Sequence, residues 1–185
     1  MVVDIGGGTT EVAIISLGNI VYSKSVRIAG DRMDDEIVQY MKRKYNLLIG
    51  ERSAEIIKMT IGCAYPDRDL RILDVKGRSL IRGIPTIVEI NSEEVRESIM
   101  EPVNIIIATI KNVLENAPPE LAGDIVERGI VLTGGGALLK NLDLLIKEET
   151  GLPIAIADDP LSVVARGAGM ALDHIDVLKE VSFQR

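Results

Sequence analysis

The chain has 185 residues, 46% of them hydrophobic, and a formal net charge of −7. That length suits one domain, or one domain carrying a small insertion. The acidity, with 3% aromatics and no Trp, argues against a nucleic-acid binder, which needs cationic surface and stacking platforms; the single cysteine, Cys63, excludes a disulfide framework or a multi-cysteine zinc site and points to a reducing compartment, and no apolar run is long enough to span a bilayer.

Residues 1–5 read as a buried strand, through Val2, Val3 and Ile5, closed by Gly6, Gly7 and Gly8. The start has no basic leader and is no signal peptide. A domain that opens in mid-strand is expected to be a fragment or a truncated reading frame. Residues 10–17 and 20–26 are two more β-rich runs, joined by the hairpin signal Gly18-Asn19. A helical pattern follows over 31–45, with Met33, Ile37, Val38 and Met41 on one face. Residues 47–91 look like a small α+β insertion: a short helix over 50–61, then strands over 70–75, 78–81 and 86–90, punctuated by Lys76-Gly77 and Gly83-Ile84-Pro85.

Ser92, Glu93 and Glu94 open a helix with acidic residues in its first turn. It runs towards Asn116 on the stripe Ile99, Val103, Ile106, Ile107, Ile110 and Leu114, with a candidate kink at Pro102 and a stop at Pro118-Pro119. Strand 129–133, the loop Gly134-Gly135-Gly136 and a helix over 138–150 come next, with Gly151 as C-cap. A last strand at 154–157 leads through Asp158-Asp159-Pro160 into a final helix ending near 175. Leu161, Val164, Ala165, Gly167, Ala168 and Ala171 make that helix small or apolar on more than one side, so a burying partner is expected. The order β-β-β-α, insertion, α-β-α-β-α predicts an α/β fold of ribonuclease-H-like order: a mixed sheet flanked by helices.

Three segments carry candidate chemistry. In Asp4-Ile5-Gly6-Gly7-Gly8-Thr9-Thr10-Glu11, glycines allow close backbone approach and successive N–H groups can form an anion nest. Asp4 at the strand end is placed to hold Mg²⁺ through water while the amides hold phosphate. A glycine-rich hairpin with Asp4 as turn cap accounts for the same residues. The dinucleotide fingerprint fails, because Glu11 stands where its third glycine belongs, and no Gly-Lys-Ser/Thr phosphate loop is present. In the second segment, Gly134-Gly135-Gly136-Ala137-Leu138 follows an apolar strand and precedes a helix, which puts free N–H groups at the carboxyl edge of the sheet; a tight turn without a ligand is the alternative. Third, Glu51, Glu55 and Lys58 share a helix face and can accept from, or lie along, a ribose or base. By itself, that face reads better as a solvated ion-pair surface.

Together, VVDIGGGTTEVAIISLG, VRIAGDRMDDEI, LLIGERSAEIIK, PPELAGDIVERGIVLTGGGALLKNLD and DDPLSVVARGAG resemble the actin-like ATPase superfamily, and within it the MreB and Mbl family of bacterial rod-shape proteins. The resemblance covers essentially the whole chain. It implies a ribonuclease-H-like subdomain over 1–46 and 92–175, an inserted subdomain over 47–91, and a tail over 176–185. It implies ATP and Mg²⁺ as ligands. Gly7, Gly8 and Thr9 would meet the phosphates, and Asp4 would serve Mg²⁺. Thr10 and Glu11 would stand with Asp4 near the attacking water. Glu55, Ile56, Ile57 and Lys58 would border ribose and adenine, and Gly135, Gly136, Ala137 and Leu138 would wrap the adenosine. Intact members are about twice this length, so hydrolysis by this chain alone is not expected. The implied biology is a cytoplasmic protein at the inner membrane face. It would self-associate into filaments, work with the cell-wall elongation machinery, and touch the membrane through an N-terminal domain absent here. A small-molecule kinase or a chaperone-like ATPase of the same superfamily is the alternative. His174 reads as a surface helix residue and Cys63 as a small core residue.

Overall fold

The computed structural model describes residues 1–173, so the readings of His174 and of the 176–185 tail lie outside the described residues. The main sheet has five strands in the order β3-β2-β1-β7-β8. β1 (Val2–Ile5), β2 (Thr10–Ser16) and β3 (Asn19–Val26) form an antiparallel meander, whereas β7 (Ile130–Thr133) and β8 (Ile154–Ile156) join β1 in parallel. Alternation explains the faces: Val3 and Ile5 of β1 and Thr10, Val12 and Ile14 of β2 are buried. The hairpin turn sits one residue earlier than Gly18-Asn19. Leu17 and Gly18 have φ of 51° and 78°, the two-residue turn whose twist matches a hairpin, and a bulge between Ile14 and Ile15 absorbs the shift.

α1 (Gly30–Tyr45), α2 (Glu51–Ile61) and α3 (Ser92–Glu115) pack on one another, and α3 also covers β2 and β3. Val95, Ile99, Val103, Ile106, Ile110 and Val113 form the fully buried stripe of α3. α3 continues through Pro102 without a break, and its cap is Asn91 rather than Ser92. The Asn91 side chain accepts from the Glu94 N–H and Glu94 accepts from the Asn91 N–H, a reciprocal capping box.

Residues 47–91 contain a separate antiparallel sheet, ordered β4-β5-β6: β4 (Leu47–Leu48), β5 (Ile72–Ser79) and β6 (Pro85–Asn91). Lys76-Gly77 therefore lies inside one long strand and does not divide two. Gly77 is needed there because β4 crosses it: a Cβ would meet Leu47 Cγ and the Leu48 carbonyl oxygen at 2.7 Å. After Pro118-Pro119 the chain forms a helix that periodicity had not revealed, α4 (Ala122–Arg128). α5 (Leu142–Thr150) starts four residues later than expected, ends at a left-handed Gly151, and packs on β8. α6 (Val163–Asp173) closes the described chain.

Candidate functional site

β1 and β7 are adjacent and parallel, in the register Val2↔Val131, Val3↔Leu132, Asp4↔Thr133. The two glycine loops that follow them therefore leave the same edge of the sheet. They are in contact. A Cβ on Gly134 would lie 2.5 Å from Asp4 Oδ1 and closer still to the Ile5 carbonyl oxygen, and one on Gly136 would enter the Ile5 side chain, 2.8 Å from its Cβ. Gly134 has φ 81° and ψ 168°, a region open only to glycine. Its N–H donates to the Pro160 carbonyl, as does the Thr133 hydroxyl, which ties the second loop to the segment before α6.

The first loop is aimed by its carbonyls. α1 begins after Ala29, which offers no side-chain cap. Its first N–H groups find acceptors in the loop instead: Gly30 donates to Gly6 O at 3.2 Å and Asp31 to Gly7 O at 2.8 Å. In a trans peptide the C=O and the next N–H point in opposite directions. Pinning the Gly6 and Gly7 carbonyls on α1 therefore turns the Gly7 and Gly8 N–H groups away from it. Among the described residues no protein acceptor meets the N–H of Gly7, Gly8 or Thr9. Gly7, Gly8 and Thr9 are exposed. The result is a donor array aimed at solvent beside a helix N-terminus, which suits an anion.

Asp4 and Glu11 face each other across β1 and β2. Burial, then the Glu11 charge, pushes the Asp4 carboxyl above its ordinary range. A divalent cation would relieve both causes. Among the described residues no three His, Cys, Asp or Glu side chains cluster as metal ligands. A single carboxylate at the strand end, beside the exposed amides, is a donor set compatible with Mg²⁺ held mainly by water and phosphate oxygens.

Several sequence candidates are turned inward. Thr10 is fully buried and its hydroxyl donates to the Ile28 carbonyl at 2.7 Å, so it braces the connection between β3 and α1 and does not face the loop opening; of the pair, Thr9 is the exposed threonine. On α2, Glu55 and Ile56 are exposed but Ile57 is in the core with Ala54 and Ile61, which seat the helix. Lys58 Nζ is engaged by Asp34 Oδ2 at 2.8 Å and the Gly30 carbonyl at 3.1 Å, which commits two of its three N–H donors to α1. In the second loop Gly135 and Leu138 are exposed, Gly136 is half-buried, and Ala137 is a core residue that can offer a ligand only backbone. Residues 135–138 form a 3-10 turn before α5 and are not the first turn of that helix.

Gly30, Asp31 and Asp34 belong to the site and were not singled out. A Cβ on Gly30 would sit 3.2 Å from Lys58 Nζ and 3.4 Å from Gly6 O, and one on Gly7 would sit 3.1 Å from Asp31 Oδ1. The available signal was a helix start with Ala at the N-cap position, because such a helix must find its acceptors elsewhere.

Strand order, inserted sheet and paired glycine loops define the actin-like ATPase fold. The chain belongs to the MreB/Mbl family: the model described as "MreB/Mbl protein" matches residues 1–180. It is 57% identical over 177 residues to the cell shape-determining protein MreB of Escherichia coli (strain K12), covering 96% of this chain and 51% of that protein. It is 49% identical over 178 residues to the cell shape-determining protein Mbl of Bacillus subtilis (strain 168), covering 96% of this chain and 54% of that protein. The crystal structure of MreB5 of Spiroplasma citri bound to AMPPNP superimposes with a TM-score of 0.91 at 40% identity, covering 98% of this chain and 54% of that one. A double-helical MamK filament, at 21% identity and a TM-score of 0.68, shares the fold. The chain spans about half the length of these relatives. Among the described residues no helix is long and apolar enough to cross a membrane.

Proposed function

We propose that this chain is the nucleotide-binding half of an actin-like filament protein that controls cell shape. The observation that carries the reading is the first glycine loop, whose carbonyls are tied to α1 and whose Gly7, Gly8 and Thr9 amides are free beside Asp4. Those amides hold the phosphates of ATP. Asp4 holds Mg²⁺ through water, and the metal, when bound, neutralises phosphate charge. Gly135 and Gly136 offer backbone to the adenosine, and Glu55, Ile56 and the Lys58 stem border its ribose and base. Glu11, beside Asp4, orients water near the terminal phosphate. Residues 47–91 act as a subdomain on the rest. In the whole protein, nucleotide clamps two domains, filaments assemble at the inner face of the membrane, and they guide the cell-wall elongation machinery.

Titration of the ¹⁵N-labelled chain with MgATP tests the site. The Gly7, Gly8, Thr9, Gly135 and Gly136 amide resonances should move together. Each charge-assisted hydrogen bond supplied by a second domain is worth about 1.5–3 kcal/mol. The chain alone should therefore bind on the order of millimolar, where the two-domain protein binds near micromolar. Unmoved loop resonances at ten millimolar MgATP would overturn the reading. ATP-dependent sedimentation of the full-length protein tests the filament.

A further inference from the structure

Asp34 and Lys58 join α1 to α2 in a half-buried setting, with side-chain exposures of 11% and 16%. Lys58 Nζ reaches past Asp34 to the Gly30 carbonyl. Gly30 in turn donates its N–H to Gly6 O, and the next residue, Asp31, donates to Gly7 O. A continuous chain of polar contacts therefore runs from α2, in the 47–91 region, to the two peptide planes that aim the Gly7 and Gly8 amides. The pair is a poor way to gain stability alone. Asp34 Oδ1 is buried with no hydrogen-bond partner, and a buried ion pair with incomplete partners commonly does no better than apolar residues of the same volume. Its distinctive property is what it holds in place.

We infer that Asp34 and Lys58 are a positioning pair: Lys58, anchored by Asp34, fixes the start of α1 and through it the aim of the glycine-loop amides towards phosphate. The inference rests on the nucleotide reading of the same loop. Neither side chain needs to touch the phosphates. The pair also makes the loop sensitive to where α2 sits, so a shift of the 47–91 region would reach the phosphate amides through a single side chain.

Removing one partner would leave an unpaired buried charge and damage the fold generally. The informative variant is therefore Asp34→Asn with Lys58→Met, which removes both charges and the donor to Gly30. Two measurements are made on the full chain. The first is amide exchange without nucleotide, which direct contact between Lys58 and a ligand would not affect. The second is the MgATP titration. The Gly30 and Asp31 amides should exchange at least about tenfold faster than in the parent, with Ile106 in the centre of α3 unchanged, and the shifts at Gly7 and Gly8 should need several-fold more MgATP. Unchanged protection at Gly30 and Asp31 would overturn the inference, and so would faster exchange that includes Ile106, which marks general loosening. If that double variant does not fold, Asp34→Asn with Lys58→Gln is read the same way: it too removes both charges, and the Gln amide falls one bond short of the Lys58 ammonium that donates to Gly30 O. A parent chain that ignores MgATP defeats the nucleotide reading, while the exchange data still decide whether the pair positions the loop.

Discussion

Gly134 is where the two glycine loops press together, and its replacement by alanine gives a graded test of that contact. At φ 81° and ψ 168° an alanine pays strain of about 1–3 kcal/mol. Its Cβ would also lie 2.5 Å from Asp4 Oδ1, with the Ile5 carbonyl oxygen nearer still. Backbone cannot swing aside as a side-chain end does, so overpacking adds about 1–3 kcal/mol. The sum is about 2–6 kcal/mol, a large part of the roughly 5–15 kcal/mol that keeps a domain folded. For a chain of this size Tm falls by about 2–4 °C per kcal/mol, so a drop of roughly 4–24 °C is expected. Two controls separate the causes. Gly151 has φ 71° and ψ 5° but open space around it, so Gly151→Ala should cost only the left-handed backbone penalty, roughly 1–2 kcal/mol. Gly123, inside α4 with nothing near its Cβ position, should gain about 0.5–1 kcal/mol as alanine. Differential scanning calorimetry of the three variants reads the series directly. If Gly134→Ala melts with Gly151→Ala, the loops are not in contact and a shared site fails.

Arg71 donates to the carbonyls of Thr60, Ile61 and Gly62, capping the end of α2, so Arg71→Met should lower stability by about 2–3 kcal/mol in urea unfolding while keeping the buried stem. Asp4→Asn should raise Tm in nucleotide-free buffer at pH 7 and abolish any Mg²⁺ dependence of ATP binding. The folded pKa is raised, so the cost of the charge is absent below the unfolded pKa and appears as pH rises through the folded value. Glu94 has the opposite sign. Burial opposes its ionisation, but hydrogen bonds from Lys44, Tyr45 and the Asn91 N–H hold its carboxyl below the usual range. Its contribution is therefore present above the unfolded pKa and lost as pH falls through the folded one, and Glu94→Gln should flatten the acid limb of a Tm–pH curve. Among the described residues α6 has none buried, with Val164 and Met170 exposed; concentration-dependent sedimentation should show self-association that Ala168→Glu abolishes, and a parent chain monomeric at high concentration would refute it.

The fold was legible where periodicity is strong. Period two marked the opening strands, a 3.6-residue stripe marked α3, and the glycine clusters marked both loops. What escaped depends on contacts distant in sequence. Lys76-Gly77 looks like a turn because nothing local says that β4 will cross there. α4 was missed because seven residues after a double proline give a weak apolar signal. In the candidate site, the sequence singled out segments that the fold brings to one sheet edge, but it did not show which of their side chains turn inward. Thr10 and Ile57 are chemically and sterically plausible contacts, yet alternation along β2 and the inward face of α2 commit them to the core.

Those inward-facing residues explain how a site made mostly of backbone can be specific. A nest of N–H groups has no side chain to choose its ligand, so its geometry depends on whatever holds the carbonyls behind it. Here that support is the N-terminus of α1. The helix is held in turn by the Thr10 hydroxyl on Ile28 O and by Lys58 on Gly30 O. Each support comes from a different element, β2 on one side and α2 on the other. The amides can keep a common aim only while both elements keep their places. A loop so held is coupled to the packing of its neighbours, and under the proposed nucleotide reading the same contacts would carry a change in that packing to the phosphate amides.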